Sequence, residues 1–149
     1  MKVFEFSIDK SGDFIDKEAS KACGMGESMI SHIKEKSLDL TVDEFSASPE
    51  IRSLIFTYKY VIRNTIREIV KAFSGAKNVN VIEPVPVIIS GGTSLPNGFV
   101  ELFEKELRGQ KLPFEVTEVI PAKMRLAAVA RGCLIWASYL ESTRNGEQG

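Results

Sequence analysis

The chain has 149 residues, 44% hydrophobic and 26% charged, with 19 Lys and Arg against 20 Asp and Glu; that is the composition of one soluble globular domain, large enough to hold a core without disulfides or a structural metal. A net charge of −1 argues against a general nucleic-acid binder, which usually carries a basic excess. Cys23 and Cys133 stand far apart without CxxC spacing beside a single His32, so no zinc cluster can be assembled, the cytoplasm is the expected compartment, and no apolar run reaches membrane-spanning length or marks a secretion signal.

Lys2 to Ile8 nearly alternates apolar and polar residues and predicts a strand, closed by the turn chemistry of Asp9 to Asp13. Phe14, Ile15, Ala19 and Ala22 predict a short helix from Asp13 to Cys23, with Gly24 and Gly26 as stop signals. Met29, Ile30 and Ile33 predict a second helix over Glu27 to Lys36. The polar stretch Ser37 to Ser48, anchored by Leu38, Leu40, Val42 and Phe45, reads as a loop. From Pro49 to Phe73 apolar residues recur at three- and four-residue steps, an amphipathic helix of roughly 35 Å with Ser48 as N-cap.

Val85 to Ile89 is an unbroken apolar run of the kind buried on both faces of a parallel sheet. It feeds the polar loop Ser90 to Gly98 and a helix carrying Phe99, Leu102, Phe103 and Leu107. Phe114 to Val119 alternates as a strand that Pro121 breaks, Leu126 to Leu140 is a mostly apolar helix, and Glu141 to Gly149 reads as a disordered tail. Strand and helix alternate, so the fold class is α/β.

Adjacent glycines after a strand and before a helix let a ligand approach the backbone, and equally serve a sharp strand-to-helix turn. Gly91-Gly92 fits neither GxGxxG nor a phosphate loop. The longer segment Val85 to Leu107 nevertheless resembles the adenosine-contacting strand, loop and helix of the superfamily of actins, sugar kinases and 70-kilodalton heat-shock chaperones. Gly91, Gly92, Thr93, Leu95 and Pro96 fill that motif, with Asn97 inserted before Gly98. Three further segments resemble the superfamily in order. Ser11 to Asp16 is similar to its Gly/Asp turn, Ile33 to Lys36 to the segment reaching adenine and ribose, and Pro121 to Leu140, with Ala128 to Gly132 inside it, to its second connecting helix. Ser31 stands where chaperones carry a Glu, so the pattern is nearest to bacterial or archaeal actin-like proteins.

The resemblance implies a partial ribonuclease-H-like layered subdomain whose upstream strands are missing, spanning 1–140, with 13–48 as a small upper helical insertion. It implies the adenosine-side half of a nucleotide cleft, ATP or ADP being held by Gly91, Gly92, Thr93 and Ser94 together with Lys34 and Glu35. Met124 and Arg125 lie where some relatives cover the adenine. The superfamily's phosphate loops, catalytic residue and metal-binding Asp have no counterpart in these residues. The resemblance therefore assigns no catalytic or metal site, admits magnesium only in a complete site, and predicts that the isolated chain does not hydrolyse ATP. Its expected partners are the missing half or a second protomer, and an open strand Lys2 to Ile8 invites self-association. The alternative is a nucleotide-free assembly or interaction domain using Arg52, Lys59, Arg63, Arg67 and Lys71 of the long helix; a small-molecule kinase half is a third reading. Lys34 and Glu35 are equally a solvated pair, His32 reads as a surface residue, and both cysteines read as buried and inert.

Overall fold

A computed structural model describes residues 5–75, 81 and 83–146. Among them are α1 (Gly12–Cys23), α2 (Glu27–Lys36), α3 (Pro49–Gly75), β1 (Val85–Ile89), a 3-10 turn at Gly92–Ser94, α4 (Phe99–Arg108), β2 (Val116–Pro121) and α5 (Ala128–Gly146). The fold is mixed α/β. The two strands form a parallel sheet, Val85 facing Val116 and Ile89 facing Pro121, with an irregularity between Val85 and Val87.

Helix α3 is the spine because its apolar residues fall on one stripe. Leu54, Ile55, Tyr58, Ile62 and Ile66 are buried, and a stripe at this spacing has to be covered by neighbouring elements. The first half is covered by α1 and α2 through Ile15, Ala19 and Ile30. There the Ser53 hydroxyl donates to the Ala19 carbonyl at 2.8 Å, which satisfies a polar group inside the core. The middle is covered by α4, with the Tyr58 and Phe99 rings edge to face at 6.1 Å. At the rim Arg63 grips both oxygens of Glu106 at 2.8 and 2.9 Å. At the start of α3 the Ser48 carbonyl accepts the Arg52 amide.

The loop after α2 is anchored by Leu38 and Leu40, which are buried, whereas Val42 and Phe45 face solvent. It is tied to the glycine loop. Asp39 and Asn97 form an isolated bridge, the Leu40 amide donates to the Asn97 carbonyl at 2.9 Å, and Asn97 Nδ2 donates to Asp39 at 2.9 Å. Gly98 (φ 78°) lies so close that a Cβ there would meet Thr41 Cγ2 at 2.7 Å. The Asn97 that departs from the superfamily pattern is thus the residue that joins these two loops.

Four expectations are corrected. Residues 5–8 carry no strand, the run meeting the turn chemistry of Asp9 to Asp13 within a few residues, and Lys2 to Phe4 of the expected strand lie outside the described residues. The β1 run is covered on one face only, since Val87 and Ile89 pack toward the core while Ile88 is 59% exposed. Pro121 ends β2 as its last residue rather than breaking it, because a terminal position leaves no amide to be missed. Residues 141–146 continue α5 instead of forming a tail, no Gly or Pro interrupting the run between Gly132 and Gly146; residues 147–149 lie outside the described part.

Candidate functional site

The site is assembled around the turn after β1. Gly91 has φ 102°, a conformation that side-chain-bearing residues rarely adopt, so a glycine is needed here for the reversal from strand to 3-10 turn. The turn is held from behind by the segment before α5. The Gly91 amide and the Ser90 hydroxyl both donate to the Arg125 carbonyl, at 3.0 and 2.9 Å, and the Arg125 guanidinium donates to the Ser94 carbonyl. Ser94 is buried and its hydroxyl closes the turn by donating to the Gly91 carbonyl at 2.7 Å.

Opposite the turn, Lys34 reaches from α2 to the start of α1. Its ammonium donates to Asp16 at 2.6 Å and to the Gly12 carbonyl at 3.3 Å, and the two side chains are only 13% and 12% exposed. An ammonium has three donors, so one remains. Gly12 completes the wall: a Cβ there would lie 3.4 Å from the Thr93 hydroxyl and 3.5 Å from Lys34 Nζ, in ordinary contact with both. The glycine therefore leaves a methyl-sized gap between two polar side chains from opposite sides.

Between these walls lies a cleft of about 550 Å³, lined by Gly12, Lys34 and Glu35 on one side, Gly92 and Thr93 on the other, and Tyr58 on the floor. Tyr58 is 1% exposed and its hydroxyl has no hydrogen-bond partner, nor has Oδ1 of Asp16. Burial, with the Asp16 charge adding to it, pushes the Tyr58 hydroxyl well above the usual phenol range, so it stays a neutral donor. Asp16 and Lys34 cancel in charge, as do Glu35 and Lys36 on the rim, and Leu95, Pro96 and Leu126 add apolar surface, which makes the cleft mixed in character and close to neutral.

Of the residues singled out in the sequence, Lys34, Glu35, Gly92 and Thr93 line this cleft, while Gly91 and Ser94 shape the turn. Arg125 holds the turn and Leu126 reaches the cleft. Sequence reasoning missed Tyr58 and the pairing of Asp16 with Lys34: Tyr58 reads as one more apolar position of α3, and no spacing rule links residues 18 apart. On the polar side of α3, Arg52 donates to the Glu44 and Ala47 carbonyls, Lys59 pairs with Glu44, and Arg63 with Glu106. With Lys71 beside Glu68 at 3.8 Å, four of the five residues of the expected partner surface are thus engaged within the chain. Cys23 is half-buried against the core, but Cys133 is exposed. Among the described residues no three His, Cys, Asp or Glu side chains gather into a metal-sized cluster, and no helix is long and apolar enough to cross a membrane.

Fold and site define a mixed α/β domain with a near-neutral cleft between a helix pair and a glycine turn. The chain belongs to the Volactin family, whose model matches residues 1–137. This match corrects the assignment to the superfamily of actins, sugar kinases and heat-shock chaperones, and with it the actin-like and heat-shock-type ATPase labels. That assignment rested on short glycine, alanine and charge patterns, whereas the Volactin match runs through nearly the whole chain. Comparison with curated proteins and with solved structures gives no match.

Proposed function

We propose that the cleft takes the adenosine side of a nucleotide, ATP or ADP, and forms one half of a binding site that is incomplete for hydrolysis. The observation that carries this reading is the convergence of Lys34 and Glu35 of α2, Gly12 of α1, and Gly92 and Thr93 after β1 on one concave surface. A near-neutral cleft with one buried ammonium donor, a threonine hydroxyl and glycine backbone suits a nucleoside better than a phosphate chain, which draws on unpaired positive charge. The phosphate side, and magnesium with it, would belong to a further polypeptide half or a second protomer. In the same reading β1, α4 and β2 are part of a ribonuclease-H-like layer, supported by the parallel pairing of β1 and β2 across an intervening helix.

The test is calorimetric titration of the chain and of Gly12→Ala with ATP and ADP, with and without magnesium. Alanine is accommodated at residue 12 in ordinary contact and favours helix, so stability holds while the gap beside Lys34 and Thr93 is filled. Weak binding, independent of magnesium and at least tenfold weaker in the variant at an unchanged melting temperature, is the expected result. Absence of heat at millimolar nucleotide, or equal binding by both proteins, overturns the reading.

The alternative, an assembly or interaction domain, draws its support from a different place, the apolar surface of α5.

A further inference from the structure

The two walls of the cleft come from separate parts of the chain. Lys34, Glu35 and Lys36 belong to α2, whereas Gly92, Leu95 and Pro96 belong to the turn after β1. Each wall is braced on its own side. Lys34 is held by Asp16 and Gly12 of α1, and the turn is held by Arg125 through the Gly91 amide, the Ser90 hydroxyl and the Ser94 carbonyl. At one end the walls face each other unjoined. A Cβ on Gly12 would lie 3.4 Å from the Thr93 hydroxyl, and among the described residues no hydrogen bond crosses there.

At the other end the walls are fastened. Asn97 directly follows Pro96, and Asp39 stands three residues beyond Lys36. The Asn97 amide donates to one Asp39 oxygen at 2.9 Å, and the Asn97 carbonyl accepts the Leu40 amide at 2.9 Å. The other Asp39 oxygen accepts the Thr41 amide and hydroxyl at 2.8 and 2.6 Å. One oxygen therefore aims the carboxylate from its own loop, while the other is spent across the gap. The backbones meet at the same place, a Cβ on Gly98 lying 3.1 Å from the Thr41 amide nitrogen.

A ligand with partners on both walls has to order whichever wall is loose, and that ordering subtracts from its affinity. A junction made before the ligand arrives removes the loss. We propose that Asp39 and Asn97 are positioning residues for the cleft: the bond between them sets the spacing of the α2 wall and the glycine-turn wall in advance, and so raises nucleotide affinity without touching the ligand. The affinity part of this inference rests on the reading of the cleft as a nucleotide site; the spacing part does not.

The pair can be broken and rebuilt with the same two groups. Asn97→Asp sets two carboxylates against each other, and adding Asp39→Asn restores the bond in the opposite direction, the new amide donating across while its carbonyl oxygen keeps the Thr41 bonds. In calorimetric titration ADP should bind Asn97→Asp about tenfold more weakly than the parent, and the double variant should return to within about twofold of it. A role confined to stability would lower the urea midpoint of Asn97→Asp and leave the affinity of the folded protein unchanged. Wall spacing is read without ligand by double electron-electron resonance between spin labels on Lys36→Cys and Leu95→Cys, in a background carrying Cys23→Ser and Cys133→Ser. The distance distribution should be narrow, broaden on Asn97→Asp and narrow again in the double variant. Equal ADP affinity in the parent and Asn97→Asp, a double variant as weak as Asn97→Asp, or distributions that do not differ overturn the proposal. A parent that binds no ADP, yet shows the broadening and its reversal, overturns the nucleotide reading and leaves the spacing role standing.

Discussion

The lysine at the centre of the cleft is held by a carboxylate and a carbonyl before any ligand arrives. With Asp16 and Lys34 each about one-eighth exposed, the pair lies between a surface bridge worth up to ~1 kcal/mol and a buried one whose breakage costs about 3–5 kcal/mol. Asp16→Ala should therefore cost about 2 kcal/mol, measured by urea denaturation, while Asp16→Leu combined with Lys34→Met should recover most of it, because the loss comes from stranding a charge. A double variant as unstable as the single one contradicts that explanation. Tyr58→Phe removes a buried hydroxyl that has no partner, so stability should be unchanged or slightly higher; a loss above ~1 kcal/mol would show that the hydroxyl is bonded. Lys34, Glu35, Gly92 and Thr93 were singled out only through the resemblance, since a lysine-glutamate step on a helix and a glycine turn are by themselves as common on plain surfaces; the structure places the four on one cleft. Asp16 and Tyr58 were not, since their roles arise from how α1, α2 and α3 pack.

Among the elements, α3 carries the core, and Ile62→Ala should cost about 2–4 kcal/mol in equilibrium unfolding because Ile62 is 2% exposed between neighbours that cannot collapse inward. The tether between the loop after α2 and the glycine loop should respond to acid. Hydrogen bonds from the Thr41 hydroxyl, Asn97 and the Thr41 amide hold Asp39 below the ordinary carboxyl range. A depressed folded value means that the tether's contribution is full above about pH 4 and is lost as the pH falls through the folded value. Carbonyl NMR titration should show Asp39 protonating below the ordinary range, and amides at Leu40 and Asn97 should change with it. In Asp39→Asn those amides should show no such step. Elements with strong local signals were read to the residue, α2 as Glu27–Lys36 and β1 as Val85–Ile89. Their surroundings were not, because an apolar strand looks the same in sequence whether one face is covered or two, and Ile88 shows that one is.

Across the whole molecule, apolar surface is divided unevenly. The helices α1 to α4 enclose a continuous core from Ile15 to Leu107, while α5 and the outer face of β1 remain uncovered. The cleft lies at the border between these regions: its walls come from the enclosed part, and Leu126, on the segment leading into α5, reaches its rim.

The central claim is that the cleft receives a nucleotide, and amide NMR during a titration with ADP tests it most directly. The account predicts that the amides of Gly12, Lys34, Glu35, Gly92 and Thr93 shift together along one saturable curve, those on the far side of α3 remain in place, and Gly12→Ala flattens the response. Shifts that gather elsewhere in the chain, or none at millimolar ADP, would contradict it.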